Sequence, residues 1–203
     1  NPQLLVGKEA LAPKTLQELI AWLKANPDKA TFASSGAGSP SHVAGAYFQK
    51  ATDTRLQIIP YRGAAPAMQD ILAGQIDLMF DQASNSLPQV QGGKIKAYAV
   101  TAKTRLASAP EIPTVDEAGL PGFYISVWHG LWVAKGTPKD VVAKLGAAVA
   151  DSLADATVRK RLEELGQEIP AREQQTPEAL ALHHKAEIEK WWPIIKGANI
   201  KAE

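Results

Sequence analysis

Short apolar runs alternate with amphipathic stretches along the first hundred residues. Leu4-Leu5-Val6 opens as a strand already under way, which reads as an interior point of a longer protein. Thr15-Leu16-Gln17-Glu18 is a capping box, where a hydroxyl and a carboxylate each satisfy a backbone N–H at a helix start. Leu16, Leu19, Ile20 and Leu23 follow at helical spacing until Asn26-Pro27 ends them. The run "ATFAS" (30–34) predicts a buried strand. A helix follows over about 40–50, with Ser39 as N-cap, Pro40 in its first turn, and Val43, Tyr47 and Phe48 facing inward.

The same alternation continues. "LQIIP" (56–60) is a strand that turns through Tyr61-Arg62-Gly63 into a helix closed by Gly74. "IDLMF" (76–80) precedes a short polar helix around 84–90, and "IKAYAVT" (95–101) is the next strand. Strands separated by helices imply βα crossovers, hence an α/β fold with a mainly parallel sheet. Beyond about residue 102 the pattern changes. A proline-bearing surface run leads to the aromatic stretch "FYISVWHGLWVA" (123–134), and helices are predicted over 138–153, 156–165 and 177–196. "QEIPA" (167–171) is the one candidate strand among them, and Trp132, Trp191 and Trp192 read as core packing. Two lobes joined near 122–134 fit this shift.

Composition narrows the chemistry. The 203 residues include no cysteine, which removes disulfides, thiol catalysis and cysteine-ligated zinc. A formal net charge of +1 without a long basic run gives no electrostatic grip on nucleic acid. No apolar stretch approaches the ~20 residues of a membrane helix. His183 and His184 are adjacent on a predicted helix and point apart, so they do not form a metal pair.

The densest chemistry lies in "TFASSGAGSPSHVAG" (31–45). A Walker-type phosphate loop needs a Lys before its last Ser or Thr, and this stretch has none. A dinucleotide fingerprint needs a third glycine opening the helix, where Pro40-Ser41-His42 stand instead. A hydrolase would use Ser39 with His42 as base, but the second glycine of a nucleophile elbow is missing. A helix start carries unpaired N–H groups and partial positive charge, so it attracts anions, and serine hydroxyls add donors. From the loop alone, an anion site and an ordinary capped turn stand level. Two more polar strand ends tip the balance: Tyr61-Arg62-Gly63 and Asp81-Gln82. Ligands gather at the carboxyl ends of parallel strands. Arg62 offers a carboxylate clamp and Tyr61 a hydroxyl or flat wall.

"KANPDKATFASSGAGSPSHVAGAYFQKATD", "IPYRGAAPAMQDILAGQIDLMFD", "PEIPTVDEAGLPGF" and "WVAKGTPKDVVAKL" together resemble the solute receptors of tripartite tricarboxylate transporters, the Bug proteins. The resemblance implies a type II periplasmic-binding-protein-like fold of two lobes, each with a mainly parallel sheet flanked by helices. Residues 3–125 would form the second lobe and 126–203 the mostly helical C-terminal part of the first. It implies a periplasmic receptor that closes on a small organic acid and delivers it to a membrane permease, with no chemistry and no cofactor. A monomer is expected. By the motif, Ser34, Ser35, Gly38 and Ser39 would hold a ligand carboxylate, with backbone N–H groups of Ser39, Pro40 and Ser41 as donors. His42 would support the helix start, and Asp81 and Gln82 fall where the family varies its distal contacts. Trp128 and His129 would wall the cleft. The family's glycine-rich "FPAGG"-type loop has no match in this chain. The other readings are a ligand-sensing module of the same fold and a serine hydrolase.

Overall fold

The computed structural model describes residues 1–201. The chain divides into two compact units, Asn1–Val127 together with the residues from Ile194 on, and Trp128–Pro193. The first unit holds one five-stranded sheet in the order β3-β2-β4-β1-β5. Its elements are β1 (Gln3–Lys8), α1 (Leu16–Ala25), β2 (Thr31–Ser34), α2 (Pro40–Thr52), β3 (Gln57–Pro60), α3 (Ala64–Leu72), β4 (Leu78–Gln82), α4 (Ala83–Gln91) and β5 (Ile95–Val100).

The expected mainly parallel sheet is mixed. β2 pairs parallel with β3 and β4, whereas β1 pairs antiparallel with both β4 and β5. Four strands therefore point one way and β1, inserted between β4 and β5, points the other. A pattern of alternating strands and helices predicts crossovers but not where a first strand inserts. One consequence follows directly: the start of β1 lies at the same edge as the carboxyl ends of the other four strands.

Period-two alternation divides the sheet into two faces. Leu4, Val6, Ala33 and Met79 face the core built with Met68 and Ile71 of α3 and Leu87 of α4. Leu5, Phe32 and Phe80 occupy the other face, where an aromatic cluster forms. Phe80 lies 5.8 Å from both Phe32 and Phe48 of α2 and 5.6 Å from Phe123, and Tyr47 stacks on Phe123 at 4.8 Å. At the edge remote from the strand ends, Asp77 joins three strands. It accepts from Thr31 N–H at 2.8 Å and Thr31 Oγ1 at 2.9 Å, and pairs with Lys8 Nζ at 2.7 Å. Burial works against its charge, but the Lys8 and Thr31 bonds prevail and hold its pKa below the usual carboxylate value.

The second unit contains α5 (Lys139–Ala154), α6 (Ala156–Glu164), a 3-10 turn at Arg172–Gln174 and most of α7 (Pro177–Gly197). Asp155 ends α5 and caps α6, accepting from Thr157 and Val158 N–H at 2.9 and 3.0 Å. The expected strand at 167–171 is absent. Pro170 has no N–H to give a ladder, and its carbonyl is taken by the Gln175 side chain at 2.8 Å. Nor do Trp132 and Trp192 pack in a core, since each is 57% exposed. No helix among the described residues is long and apolar enough to cross a membrane.

Gly45 shows how closely α2 sits on the sheet. A Cβ there would come within 2.6 Å of Phe32 Cε1, on a ring enclosed by the aromatic cluster. Alanine would add about 1 kcal/mol of helix propensity, whereas overpacking a filled core costs about 1–3 kcal/mol. Gly45→Ala is therefore expected to lower stability in urea denaturation. An unchanged or raised midpoint would show that the α2–sheet contact is looser than described.

Candidate functional site

β2, β3 and β4 are adjacent and parallel, and a helix follows each. The starts of α2, α3 and α4 therefore gather at one sheet edge. The loops after β2 and β3 run together there. Tyr61 N–H donates to Ser34 O at 2.8 Å, and a Cβ on Gly36 would approach Tyr61 O to 3.5 Å. Gly36 and Gly38 have φ values of 130° and 71°, the region open mainly to glycine, which is what lets the loop turn back upon α2.

Three serines organise the first loop. Ser41 Oγ accepts from Ser35 N–H at 2.8 Å and lies 3.0 Å from Ser35 Oγ and 3.1 Å from Ser39 Oγ. Ser39 caps α2 as its sequence position predicts, accepting from His42 N–H at 3.3 Å. His42 Nδ1 accepts from Gly38 N–H at 3.2 Å, so the imidazole braces the loop through that nitrogen. Burial lowers its pKa, which favours the neutral ring that this acceptor role requires.

The expected donors of this loop need revision. Pro40 has no N–H, and Ser39 N–H is already bound to Gly36 O at 3.2 Å. The Ser41 N–H remains, and so do those of Gly36 and Ala37, none of them bonded among the described residues. Gly63 starts α3 with φ 109° and no side-chain cap, which leaves Ala64 and Ala65 N–H open beside the first loop. Neither α2 nor α3 has an acidic residue in its first turn. Ser34 Oγ is fully buried and has no hydrogen-bond partner among the described residues.

The other sequence candidates divide. Arg62 is exposed on the β3–α3 loop and forms no ion pair among the described residues. The Tyr61 hydroxyl is occupied, donating to Asp70 at 2.6 Å, and burial together with that carboxylate pushes its pKa up to about 12. Its ring packs on the α3 face of the sheet. Asp81 lies on that same face and is only 5% exposed. It accepts from Ser86 Oγ at 2.6 Å and Asn85 Nδ2 at 2.7 Å, so its carboxylate serves the start of α4. Gln82, one residue on, falls on the α2 face beside the serine loop. In the second unit, Trp128 packs edge-on against His183 at 4.9 Å and His184 at 5.9 Å. His129 there borders a groove of about 360 Å³ with Leu131, Leu145 and Leu180.

The fold is shared with solved periplasmic binding proteins. The structure of the periplasmic binding protein BugD matches with a TM-score of 0.90 at 39% identity, covering 100% of this chain and 67% of that one. MatC from Rhodopseudomonas palustris with bound malate matches with a TM-score of 0.90 at 37% identity, over 96% of this chain and 66% of that one. A further R. palustris protein, solved with adipate, matches with a TM-score of 0.90 at 28% identity. Residues 1–200 match the tripartite tricarboxylate transporter family receptor, and the chain belongs to that family of solute-binding receptors. Among curated relatives, a UPF0065 protein of Agrobacterium vitis is 40% identical over 98% of this chain and 57% of its own length. BugT of Bordetella pertussis is 29% identical over 98% of this chain and 61% of its own length. The chain thus spans between a half and two thirds of these relatives.

Burial raises the pKa of Asp81, against the opposing pull of Ser86, Asn85 and the Gln82 N–H. A carboxyl with a higher pKa when folded binds more protons in the folded state between its unfolded value, about 3.9, and its folded value. Stability then falls as pH rises through that interval. Asp81→Asn is expected to remove this component, so the wild-type minus variant melting temperature decreases as pH rises from about 4. A difference that stays flat or increases with pH would rule out the buried-carboxylate description.

Proposed function

We propose that this chain is the ligand-holding part of a periplasmic receptor that captures a small organic acid and delivers it to a tripartite tricarboxylate-type permease. The observation that carries this reading is the pair of helix starts, α2 and α3, with open N–H groups and no acidic side chain in either first turn. Two neutral helix starts place partial positive charge where a carboxylate would sit. Serine hydroxyls add hydrogen bonds of the charge-assisted kind. In this reading Ser34, Ser35, Gly38, Ser39 and Ser41 surround the proximal carboxylate, and Pro40 stiffens the helix start while donating nothing. Arg62 and Gly63 border it from the second loop, and Gln82 meets the rest of the ligand. Asp81 and Tyr61 support the frame from the opposite face of the sheet.

No covalent chemistry is required. The His42 ring is engaged by Gly38, so Ser39 lacks the neighbouring base that nucleophilic attack needs. Malate and adipate are the acids named with two similar structures, which supports a carboxylate as ligand here. Delivery to a permease, a periplasmic location and a monomeric state rest on family membership and belong to the proposal.

The test is calorimetry with a panel of mono-, di- and tricarboxylates. Ser39→Ala is expected to weaken the best-bound acid by about 1–3 kcal/mol, the value of a hydrogen bond to a charged group. Because Ser39 also caps α2, the variant loses about 1 kcal/mol of stability as well. Thr15→Ala, which removes the equivalent cap from α1, is the control that loses stability and keeps affinity. If no acid in the panel binds or shifts the melting temperature, the receptor reading fails.

A further inference from the structure

Among the described residues, four buried side-chain polar atoms lack a hydrogen-bond partner, and two of them lie at the sheet edge just described: Ser34 Oγ and Gln3 Oε1. In sequence Gln3 reads only as the polar beginning of an apolar run. It is the first residue of β1 and stands directly opposite Gln82 of β4. Because β1 runs against its neighbours, this first residue reaches the edge where the other strands end.

Register also fixes the face. Gln3 and Gln82 lie on the side of Leu5 and Phe80, and Ser34 shares that side through the pairing of Phe32 with Leu78. This is the α2 side, where the serine loop turns into its helix. Gln3 and Gln82 thus face each other across β1 and β4 at the strand ends, and Ser34 of β2 lies on the same face one pleat deeper, level with Phe80 and Leu5.

The Gln3 backbone is firmly held. Its N–H donates to Thr101 Oγ1 at 2.8 Å, and its carbonyl accepts from Thr101 N–H at 2.8 Å. Thr101 Oγ1 is itself anchored on Ile125 O at 2.6 Å. Only the side chain is left over. It is 3% exposed, and its oxygen meets no donor. The Gln82 carboxamide opposite forms no hydrogen bond among the described residues either. Two facing amides that do not bond to each other, on a fixed backbone, leave an acceptor waiting for a donor.

We infer that Gln3 is a specificity-determining residue of the ligand site, its carboxamide oxygen accepting a hydrogen bond from a hydroxyl or ammonium group on the carbon chain of the bound acid. The inference rests on the carboxylate reading and deepens it. The helix starts hold a carboxylate, which any organic acid has. The Gln3–Gln82 row then selects among acids by a donor on the adjoining carbon, because a plain methylene would leave the buried oxygen unpaired.

The experiment compares matched pairs by calorimetry: succinate with malate, glutarate with 2-hydroxyglutarate, and adipate with 2-hydroxyadipate. The wild-type protein is expected to prefer the hydroxylated member of the pair it binds by about tenfold, the value of one net hydrogen bond. Gln3→Met keeps the side-chain length and removes the acceptor. It is expected to erase the preference, leave the affinity for the plain acid within about twofold, and hold or raise the melting temperature of the ligand-free protein. If wild type and Gln3→Met bind the pairs in the same ratio, or the variant melts well below wild type, Gln3 is a structural residue and the inference is overturned while the carboxylate site stands. If wild type binds none of the six acids, the inference is overturned, and the carboxylate reading falls with it only if the wider panel of mono-, di- and tricarboxylates also fails to bind.

Discussion

The parallel pairing of β2 on both of its sides is the constraint on which the site depends. A parallel neighbour must be reached by a crossover helix, so each of β2, β3 and β4 delivers a helix start to one edge. The Tyr61 N–H to Ser34 O bond carries the β2–β3 ladder one step past the strands and brings the two loops together. At the far edge, Asp77 holds β2 against β4 and β1 through Thr31 and Lys8. That clamp and the strand ladders together hold the register that brings the helix starts to the other edge.

The three helix starts at this edge meet the same electrostatic problem in two ways. Unpaired N–H groups at a helix start favour negative charge nearby. At α4 the chain provides that charge itself: Asp81 sits one residue before the cap and is enclosed by Ser86 and Asn85. At α2 and α3 it provides none. The difference is informative because all three starts share one sheet and one edge. One helix start is thus served by an anion of the chain itself, while two are left without one, which is what the proposed carboxylate site rests on. The serine network around Ser41 ties the loop together, which would reduce the ordering required on binding in the proposed reading.

Much of this was legible along the chain. The capping residues Thr15 and Ser39 predicted the starts of α1 and α2, because a cap needs only a hydroxyl and a local backbone turn. The loop around Ser34–His42 was recognisable for the same reason: its chemistry is contained in nine consecutive residues. What could not be read is what depends on distant pairing. Asp81 and Gln82 look like one polar strand end in sequence, yet successive strand residues point to opposite faces, so they serve different neighbours. Gln3 reads as the polar beginning of an apolar run. Only the insertion of a reversed strand between β4 and β5 brings it to the edge, and alternation of strands with helices carries no signal for that insertion. Trp132 and Trp192 fail differently, since aromatic character alone says nothing about which surface a helical unit has available to cover them.

The donors of the serine loop are all neutral, and this shapes what such a receptor can do. A lysine or arginine in the loop would hold any anion tightly, phosphate and sulfate included, and its strength would fall with salt. Backbone N–H groups and hydroxyls act only at hydrogen-bond range and in fixed directions. In the proposed reading they would select an anion by how its oxygens match those directions rather than by its charge alone. Arg62 stands outside this set, on an exposed loop where its attraction is weakened by solvent. On the same proposed reading it would suit the approach of an acid better than its discrimination. Selection would then fall, in the proposed reading, to buried neutral groups, whose hydrogen bonds are made or missed as a whole because water cannot replace them. In the proposed reading, the Gln3 and Gln82 amides and the Ser34 hydroxyl on one face of the sheet, beside two helix starts with no acidic residue in their first turns, would meet that requirement.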